Sequence, residues 1–405
     1  MFAYHLQLAL RLLDSGQVFN VTFMEGQPVM LETTEDGHAV TMEVLEYMQR
    51  NRQNFNAAEW GFAEGEERIV RREGMVELAS MITPSWSEII GAKPLHGTLR
   101  MPGCNPMRCS FFLFTNDANA PDTGSGHAKR IIPPEEQRLA SGYSGRLGCA
   151  VRILPKAPMT LDALRINQLT RSVADAKGGL VLITGSPGVG KSTTAAAFIE
   201  HVDRTRSGTI VTAESPVEVP FTSQSSVVTQ REVGVNVVSV SVALRDAERN
   251  FAHSALVGEI QTHQDQLDTF NAARHGMFVV TTAFSSRAAE AVKMLVTDLD
   301  RDGVDGADLV SSTLQAVIHQ VRLPSLSAGR WAFAYESIVI SGQKEIAALV
   351  RARDWIGLQE TITMDDSASL NGSLAALVRS KAVLLESAMA HAYDKSGLSA
   401  LVGRA

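Results

Sequence analysis

Residues 185–192 read Gly-Ser-Pro-Gly-Val-Gly-Lys-Ser, a combination of residue types and spacing that can bind phosphate. Glycines in such a loop let backbone N–H groups face inward around an anion, and a helix that follows adds the positive end of its dipole. Lys191 is expected to reach the β- and γ-phosphates of a nucleotide, and the Ser192 hydroxyl to bind Mg²⁺. The other residues expected to line the phosphates are Gly185, Ser186, Pro187, Gly188, Val189, Gly190 and Thr193.

The segments on both sides of this loop have the patterns that a phosphate-binding loop needs. Residues 180–183 are apolar and β-branched, which predicts a strand, and the alanine-rich stretch from Lys191 onward predicts a helix. The alternative is a strand, turn and helix in which this residue pattern occurs by chance. Because the strand precedes the glycines and the helix follows them, the phosphate-binding interpretation is favoured.

Two predicted strands downstream of the loop are followed by carboxylates. Glu214 follows the strand at 209–213, and Glu218 lies four positions later. Glu259 follows the strand at 255–258. Carboxylates at such strand ends can hold Mg²⁺ through water and polarise the attacking water, although a single loop glutamate is more often only a solvated charge. Their position favours a catalytic role for all three, with Glu214 and Glu259 also near the metal.

The second half of the chain alternates between strand and helix patterns, which predicts a mostly parallel, twisted α/β sheet with helices on both faces. A helix is predicted over residues 161–176, before the strand that leads into the loop. Further strands are expected at 209–213, 226–229, 255–258 and 278–282, and intervening helices at 241–250 and 264–275. The tail, residues 346–405, has amphipathic helical patterns at 370–381 and 384–393.

Residues 1–155 predict a smaller mixed α/β domain. Strand patterns at 18–23, 29–33, 39–40, 107–114 and 146–154 accompany helical patterns at 6–13 and 42–53. Residues 116–144 are rich in Pro, Gly, Ser, Asp and charge, which predicts a surface loop inserted in this domain. Prolines at 155 and 158 indicate an interdomain linker at 156–161, so the second domain is expected at 162–405.

Composition excludes several classes of protein. With 405 residues, 45% hydrophobic and 20% charged, the chain has material for two or three folded domains rather than the signature of disorder. A net charge of -7 argues against a nucleic-acid-coating protein, so no direct nucleic-acid partner is expected. No apolar run is long enough to span a bilayer, and no membrane anchor is expected. The 3 cysteines are too few for a disulfide scaffold and suit a reducing, cytoplasmic setting.

Residues 178–340 resemble the motor ATPases of secretion systems and type IV pili, a family that includes pilus retraction motors and the ATPases of type II and type IV secretion and conjugation. The resemblance lies in ordered blocks, namely GLVLITGSPGVGKSTT, TAESPVE, VVTQREVGV, SVALRDAERN, LVGE and LQAVIHQVRLP. The six residues from Thr229 to Gly234 are the most distinctive, because other phosphate-binding-loop families do not carry them. The tail is similar to the helical end of the retraction motors.

This resemblance implies a P-loop, RecA-like ATPase domain preceded by a PAS-like N-terminal domain and followed by C-terminal helices. It also implies ATP and Mg²⁺ as cofactors, and a homo-hexameric ring whose two domains move against each other on turnover. Such a ring would lie at the cytoplasmic face of the inner membrane, held there by inner-membrane platform or secretion-channel proteins.

The resemblance also assigns roles to individual residues. Glu214 and Glu218 fall on the acidic box between the two Walker motifs, and Glu259 falls on the Walker B glutamate that orients or activates water. Arg231 lies in the block that links nucleotide state to domain position. Arg108 and Arg152 lie on strands similar to those whose arginines reach nucleotide across domains or subunits. For these last two, a surface arginine that covers apolar strand residues with its stem is an equal alternative.

Three departures from the family pattern bear on catalysis. The acidic box usually reads Glu-Asp-Pro, and here residues 214–216 read Glu-Ser-Pro; behind Glu259, residues 260–262 read Ile-Gln-Thr in place of Met-Arg-Asp. The strand that usually ends Thr-Leu-His-Thr here ends with Phe284 in the histidine's place. A phenyl ring cannot donate a hydrogen bond to a γ-phosphate, and His275 lies before the strand rather than after it. We therefore expect a Mg²⁺-dependent ATPase with slow hydrolysis.

Three functions remain open on the sequence. The first is a hexameric ATPase motor of a type IV pilus or of a secretion or conjugation apparatus. The second is a hydrolysis-weakened ATP-binding subunit with a structural or regulatory role in the same machine. The third, a P-loop enzyme that phosphorylates a small molecule, is disfavoured by the family blocks.

Overall fold

The computed structural model describes residues 13, 18–24, 29–35, 38–43, 75–76, 78–80, 95–99, 107–114, 146–301, 303–327 and 330–403. The chain divides into two compact units. Among the described residues, the first contains those up to Leu154 together with Arg330, and the second contains the rest from Pro155 onward. No helix among these described residues is long and apolar enough to cross a membrane.

The first unit contains a six-stranded antiparallel sheet with the order β3-β2-β1-β6-β5-β4. Its strands are β1 Val18–Met24, β2 Met30–Glu35, β3 His38–Glu43, β4 Leu95–Leu99, β5 Met107–Phe114 and β6 Arg146–Ile153. Strands β1, β2, β3, β5 and β6 confirm the five predicted positions, and β4 was not predicted. The helical interpretation of 42–53 is wrong at its start, because Met42 pairs with Leu31 inside β3. The remainder of that helix, the helix at 6–12 and the insertion at 116–144 lie outside the described residues.

One face of this sheet is apolar and the other carries polar side chains. Val21, Phe111 and Cys149 are fully buried on the apolar face. On the other face Arg152 of β6 lies opposite Arg108 of β5. This alternation follows from the two-residue period of a strand, which sends successive side chains to opposite faces.

The second unit contains a seven-stranded sheet with the order β13-β12-β7-β11-β10-β8-β9. Its strands are β7 Gly179–Thr184, β8 Gly208–Glu214, β9 Ser226–Glu232, β10 Ser254–Glu259, β11 Phe278–Ala283, β12 Leu314–Pro324 and β13 Trp331–Val339. All neighbouring pairs are parallel except β12 with β13, which is antiparallel. The predicted mostly parallel sheet is therefore confirmed.

Helices cover both faces of this sheet. They are α1 Leu161–Leu164, α2 Gln168–Ser172, α3 Lys191–Thr205, α4 Val240–Arg249, α5 His263–Arg274, α6 Ala288–Arg301, α7 Gly306–Thr313, α8 Lys344–Ala352, α9 Trp355–Met364, α10 Leu370–Arg379, α11 Leu385–His391 and α12 Lys395–Val402. Leu180 and Leu182 of β7 enter one apolar core, whereas Val181 and Ile183 enter another. Because all four residues are buried, this strand is apolar throughout rather than alternating, as expected for a central parallel strand.

The single helix predicted over 161–176 is wrong. Arg165 adopts a left-handed conformation with φ 55°, which ends α1 after Leu164. The Asn167 side chain then accepts a hydrogen bond from the Thr170 N–H and starts α2 as a separate helix. A 3-10 turn at Val173–Asp175 completes the segment. The apolar spacing correctly indicates helical structure, but Asn167 caps a second helix within the segment and so divides it.

The tail helices pack against the β12–β13 edge of the sheet. Leu370 and Leu374 of α10, with Leu398 of α12, are buried in one cluster with Leu323 of β12 and Ala334 of β13. The two helices predicted at 370–381 and 384–393 are present as α10 and α11. This packing brings residues near the C-terminus beside the strand that neighbours β7.

Candidate nucleotide-binding site

The phosphate-binding loop joins the end of β7 to the start of α3. Gly185, Gly188 and Gly190 have φ values of 142°, 76° and 92°, a region in which a side chain is strained. At Gly185 a Cβ would also collide with the backbone carbonyl oxygen of Gln320 on β12. Glycine is therefore required at Gly185 by both backbone conformation and close packing.

The N-terminus of α3 is open to an anion. Gly190 is its N-cap residue, and no side chain accepts a hydrogen bond from the first turn. The loop residues Ser186, Pro187 and Gly188 are exposed. Uncapped N–H groups and the helix dipole favour a negatively charged ligand here, so the backbone fits the phosphates of a nucleotide.

The Lys191 ammonium lies inside the loop. Its Nζ donates hydrogen bonds of 3.1 Å to the carbonyl oxygens of both Gly185 and Ser186. Burial lowers the pKa of Lys191, and the negative charges of Glu259 and Glu218 oppose this shift. On another side the ammonium lies 3.9 Å from the centre of the Phe284 ring. A nucleotide phosphate would offer this buried cation an anionic partner in addition to neutral carbonyls.

Glu214 is a buried carboxyl at the end of β8. Burial raises its pKa to about 7, and the charge of Glu218 adds to that shift. The Thr212 hydroxyl donates to Glu214 Oε1 at 2.7 Å and the Gln230 amide at 3.4 Å, and both hydrogen bonds oppose the increase. A nearby divalent cation would favour the ionised form, so this carboxyl suits the neighbourhood of Mg²⁺.

Glu259 is the last residue of β10, the strand between β8 and β11. The strand ends are close, because a Cβ placed at Gly258 would lie 3.4 Å from the Cα of Glu214. The structure thus brings Glu214 and Glu259 to one edge of the sheet, and Glu218 and Glu259 both act on the charge of Lys191. This edge is the one at which the phosphate-binding loop begins.

Magnesium in such a site is bound mainly by the nucleotide, water and a hydroxyl rather than by a cage of side chains. Ser192 lies in the first turn of α3 and is partly exposed. Within the part of the chain that the structure describes, no three His, Cys, Asp or Glu side chains cluster as a metal site. The fit therefore rests on Ser192, with Glu214 and Glu259 acting through water.

Gln320 of β12 supports the loop and was missed in the sequence. Its Nε2 donates to the Val189 carbonyl at 2.5 Å, and its Oε1 accepts from the Thr194 hydroxyl at 2.6 Å. One buried amide therefore joins the loop to the first turn of α3. The sequence contained a signal, because Gln320 lies in the LQAVIHQVRLP block, but the block alone indicated no role.

His319, the neighbour of Gln320, was also missed. It pairs with Thr184 in the parallel β7–β12 ladder, and its Nδ1 lies 3.3 Å from the Thr184 hydroxyl. Its Nε2 lies 3.4 Å from the hydroxyl of Tyr393, which comes from the tail. Burial lowers the pKa of His319 to about 4, and the positive charges of Arg287 and Lys191 add to the shift. The imidazole is therefore neutral at physiological pH.

The family model for Type II/IV secretion system proteins matches residues 149–345, which contain the loop and both strand-end glutamates. These residues therefore form a domain of the type II/IV secretion system protein type. The resemblance inferred from the sequence is confirmed.

Curated relatives in this family include pilus motors. The chain is 32% identical over 205 residues to the "Type IV pilus retractation ATPase PilT" of Pseudomonas aeruginosa, covering 50% of this chain and 59% of that protein. It is 28% identical over 267 residues to the "Twitching motility protein" of Neisseria gonorrhoeae, covering 65% and 71%. The first three curated relatives are matched over 59%, 58% and 50% of their lengths, so the chain spans between half and three fifths of each.

Solved structures of the type II/IV secretion family share the fold over almost the whole chain. The pilus retraction motor PilT with bound ADP superposes with a TM-score of 0.69 at 21% identity, covering 96% of this chain and 97% of that one. The Legionella pneumophila ATPase DotB gives a TM-score of 0.68 at 18% identity, covering 95% and 94%. At these identities the likeness shows a common fold.

The arginines predicted from the secretion-family pattern occupy different places. Arg231 lies on β9, which continues to Glu232 rather than ending at Thr229. Its Nη1 contacts Asp246 Oδ2 of α4 at 3.0 Å. Arg108 and Arg152 lie opposite each other on β5 and β6 of the first unit. A contact of these three arginines with nucleotide stays a prediction.

Proposed function

We propose that this chain is a Mg²⁺-dependent ATPase that forms a homo-hexameric motor of a type IV pilus or of a type IV secretion or conjugation apparatus. The observation that carries the proposal is the placement of Lys191, Glu214 and Glu259 around a single glycine loop at one sheet edge. The names of the matched relatives, which include a pilus retraction ATPase, support the choice of machine.

Each residue has a distinct task in this proposal. Lys191 would exchange its two loop carbonyls for the β- and γ-phosphates, and Ser192 would hold the metal, which would supply positive charge against the phosphates. Glu259 would orient and activate the attacking water, and Glu214 and Glu218 would hold water near the metal. The loop residues 185–193 supply the N–H groups that surround the phosphates.

The assembly follows from the family assignment and is part of the same proposal. Each nucleotide site would be completed by Arg231 of its own domain and by Arg108 and Arg152 from another domain or subunit. Turnover would drive a hinge motion at residues 155–162. The ring would bind inner-membrane platform or secretion-channel proteins at the cytoplasmic face of the inner membrane.

One observation favours a second candidate, a hydrolysis-weakened ATP-binding subunit of the same machine. Phe284, in the place of the family histidine, lies against Lys191 with its ring. A phenyl ring offers no hydrogen bond to a γ-phosphate, and loss of one such contact costs on the order of a hundredfold in rate. Binding of ATP without rapid release of phosphate is what this arrangement favours.

The proposal is tested by the rate of phosphate release from ATP in the presence of Mg²⁺. The purified full chain is compared with its Lys191→Ala variant. Lys177→Ala is the matched control, because Lys177 is exposed and precedes β7. A motor releases phosphate well above Lys191→Ala without added substrate, and light scattering gives a hexamer with nucleotide. Tight ATP binding with no release above Lys191→Ala establishes the second candidate. An equal lack of ATP binding in the wild type and in Lys191→Ala would overturn both.

A further inference from the structure

The Tyr393 hydroxyl lies between two segments that border the nucleotide site. Tyr393 follows α11 in the tail, and its hydroxyl hydrogen-bonds the carbonyl oxygen of Ser286. The same hydroxyl lies 3.4 Å from Nε2 of His319 on β12. The Arg287 guanidinium covers its ring at 3.8 Å. A residue 12 positions from the C-terminus of the 405-residue chain therefore contacts the middle of the ATPase fold.

The protons in this chain of hydrogen bonds have one consistent arrangement. The Ser286 carbonyl can only accept, so the Tyr393 hydroxyl donates its single proton to it. His319 must then donate from Nε2 to the tyrosine oxygen. A neutral imidazole has one donor and one acceptor, so Nδ1 accepts from the Thr184 hydroxyl. Each group thus donates a hydrogen bond to the next one, in the order Thr184, His319, Tyr393 and Ser286.

The titration behaviour of both rings agrees with this arrangement. Burial lowers the pKa of His319 to about 4, with the positive charges of Arg287 and Lys191 in the same direction, which keeps the imidazole neutral. Burial raises the pKa of Tyr393 to about 12, so the phenol keeps its proton.

Each end of the hydrogen-bond chain lies next to a residue of the site. Thr184 is the last residue of β7 and directly precedes Gly185 of the loop. Ser286 lies two positions after Phe284, whose ring contacts the Lys191 ammonium. Buried Glu336 holds the other end of the same loop by accepting from the Ala288 N–H at 2.9 Å. The two loops leave paired strands, because Ala283 lies opposite Thr184 in the β7–β11 ladder. The Tyr393 hydroxyl adds a second connection beyond the end of that ladder, at Ser286.

We propose that Tyr393 is a positioning residue that ties the C-terminal tail to the nucleotide site through His319 and Ser286. It acts on the site through other residues and touches no nucleotide itself. A shift of the tail, for instance when a partner binds it, would move the Phe284 loop relative to Lys191. This inference deepens the proposed function and rests on it for its catalytic consequence.

Hydrogen exchange of the full chain without nucleotide tests the connection independently of catalysis. Tyr393→Phe keeps the ring over Arg287 but removes the hydroxyl, and with it the hydrogen bonds with Ser286, His319 and the Arg287 side chain. Amides in 184–190 and 284–288 should therefore exchange faster. Tyr335→Phe is the matched control, because the Tyr335 hydroxyl donates to the Leu164 carbonyl at 3.1 Å and to none of the residues of this hydrogen-bond chain. Unchanged exchange in Tyr393→Phe, or the same change in Tyr335→Phe, would overturn the proposal whether or not the chain hydrolyses ATP.

A double-mutant cycle tests the path through His319. Tyr393→Phe should lower kcat about fivefold with an unchanged ATP dissociation constant, as expected for the loss of hydrogen bonds that act on orientation rather than on nucleotide binding. Thr184→Val interrupts the other end of the chain. If both residues act through His319, the double variant loses no more kcat than the more impaired single variant. If the fold-loss of kcat in the double variant equals the product of the two single losses, the residues act independently and the path through His319 is rejected. A wild type without turnover would reject the proposed function, while the exchange result would still decide the connection.

Discussion

The Lys191 ammonium lies 3.9 Å from the centre of the Phe284 ring, so the cation that should bind phosphate also has an aromatic partner. The contact joins the first residue of α3 to the loop that follows β11. The interaction of a cation with a ring face is worth about 0.5–2 kcal/mol, depending on how far the pair is shielded from water. If Lys191 binds phosphate as proposed, Phe284 competes with the nucleotide for this ammonium.

Replacing Phe284 with leucine should tighten ATP binding about two- to fivefold, because Lys191 loses a competing partner while the apolar bulk is largely kept. The measurement is the dissociation constant of a fluorescent ATP analogue at constant salt. Exposed Phe251, with 91% of its surface accessible, provides the matched Phe→Leu control. Weaker binding in Phe284→Leu would show that the ring supports the loop rather than competing for the lysine.

Phe284→His should raise kcat relative to Phe284→Leu at a similar ATP affinity. An imidazole at this position can hydrogen-bond the γ-phosphate, which neither the phenyl ring nor leucine can do. Phosphate release at saturating ATP measures the effect. An unchanged or lower kcat would mean that another group, such as the Thr282 or Ser285 hydroxyl, already serves as the sensor.

Glu214 should make stability depend on pH. Burial raises its folded-state pKa to about 7, above the ordinary value of 4.5, so the folded protein holds this proton more tightly than the unfolded chain. Stability without nucleotide therefore falls as pH rises from about 4.5 to 7 and is then constant for this group. Glu214→Gln cannot ionise and so lacks this pH-dependent loss of stability. The difference in melting temperature, variant minus wild type, should therefore increase by several degrees from pH 5 to pH 8.

The comparison for Glu214 is Glu345→Gln, an exposed carboxyl in the first turn of α8. Its melting temperature relative to wild type should show no such increase. A difference between Glu214→Gln and wild type that does not change with pH would show that the carboxyl is ionised throughout the range.

Gln320→Glu should weaken nucleotide binding and lower stability. The substitution keeps the shape of the side chain but replaces the amide donor, so a carboxylate oxygen would face the Val189 carbonyl. Leaving that buried carbonyl without its donor costs about 1–3 kcal/mol. Thermal melting and ATP affinity both report the effect, with Gln343→Glu at the start of α8 as an isosteric control. Equal changes in melting temperature and ATP affinity in Gln320→Glu and Gln343→Glu would contradict a supporting role for Gln320.

Local patterns were sufficient for most of the fold. The strands that border the phosphate-binding loop are apolar runs bounded by polar residues, and their ends in the structure lie within three residues of the predicted ones. The two errors have local causes. Met42 was assigned by helical spacing in a segment that instead pairs along β2, and the helix over 161–176 is interrupted where Asn167 caps α2.

The phosphate-binding loop and its acidic neighbours are predictable from local patterns, because each is encoded within a short stretch. The distant residues that support them are brought together by the folded chain. His319 is 135 positions from Thr184, and Tyr393 is 74 positions from His319, so no local period could connect them. Their meeting depends on β12 pairing with β7 and on the tail packing against β12 and β13. Strand order and helix packing result from the burial of the whole apolar core, and a single stretch of sequence does not contain that information.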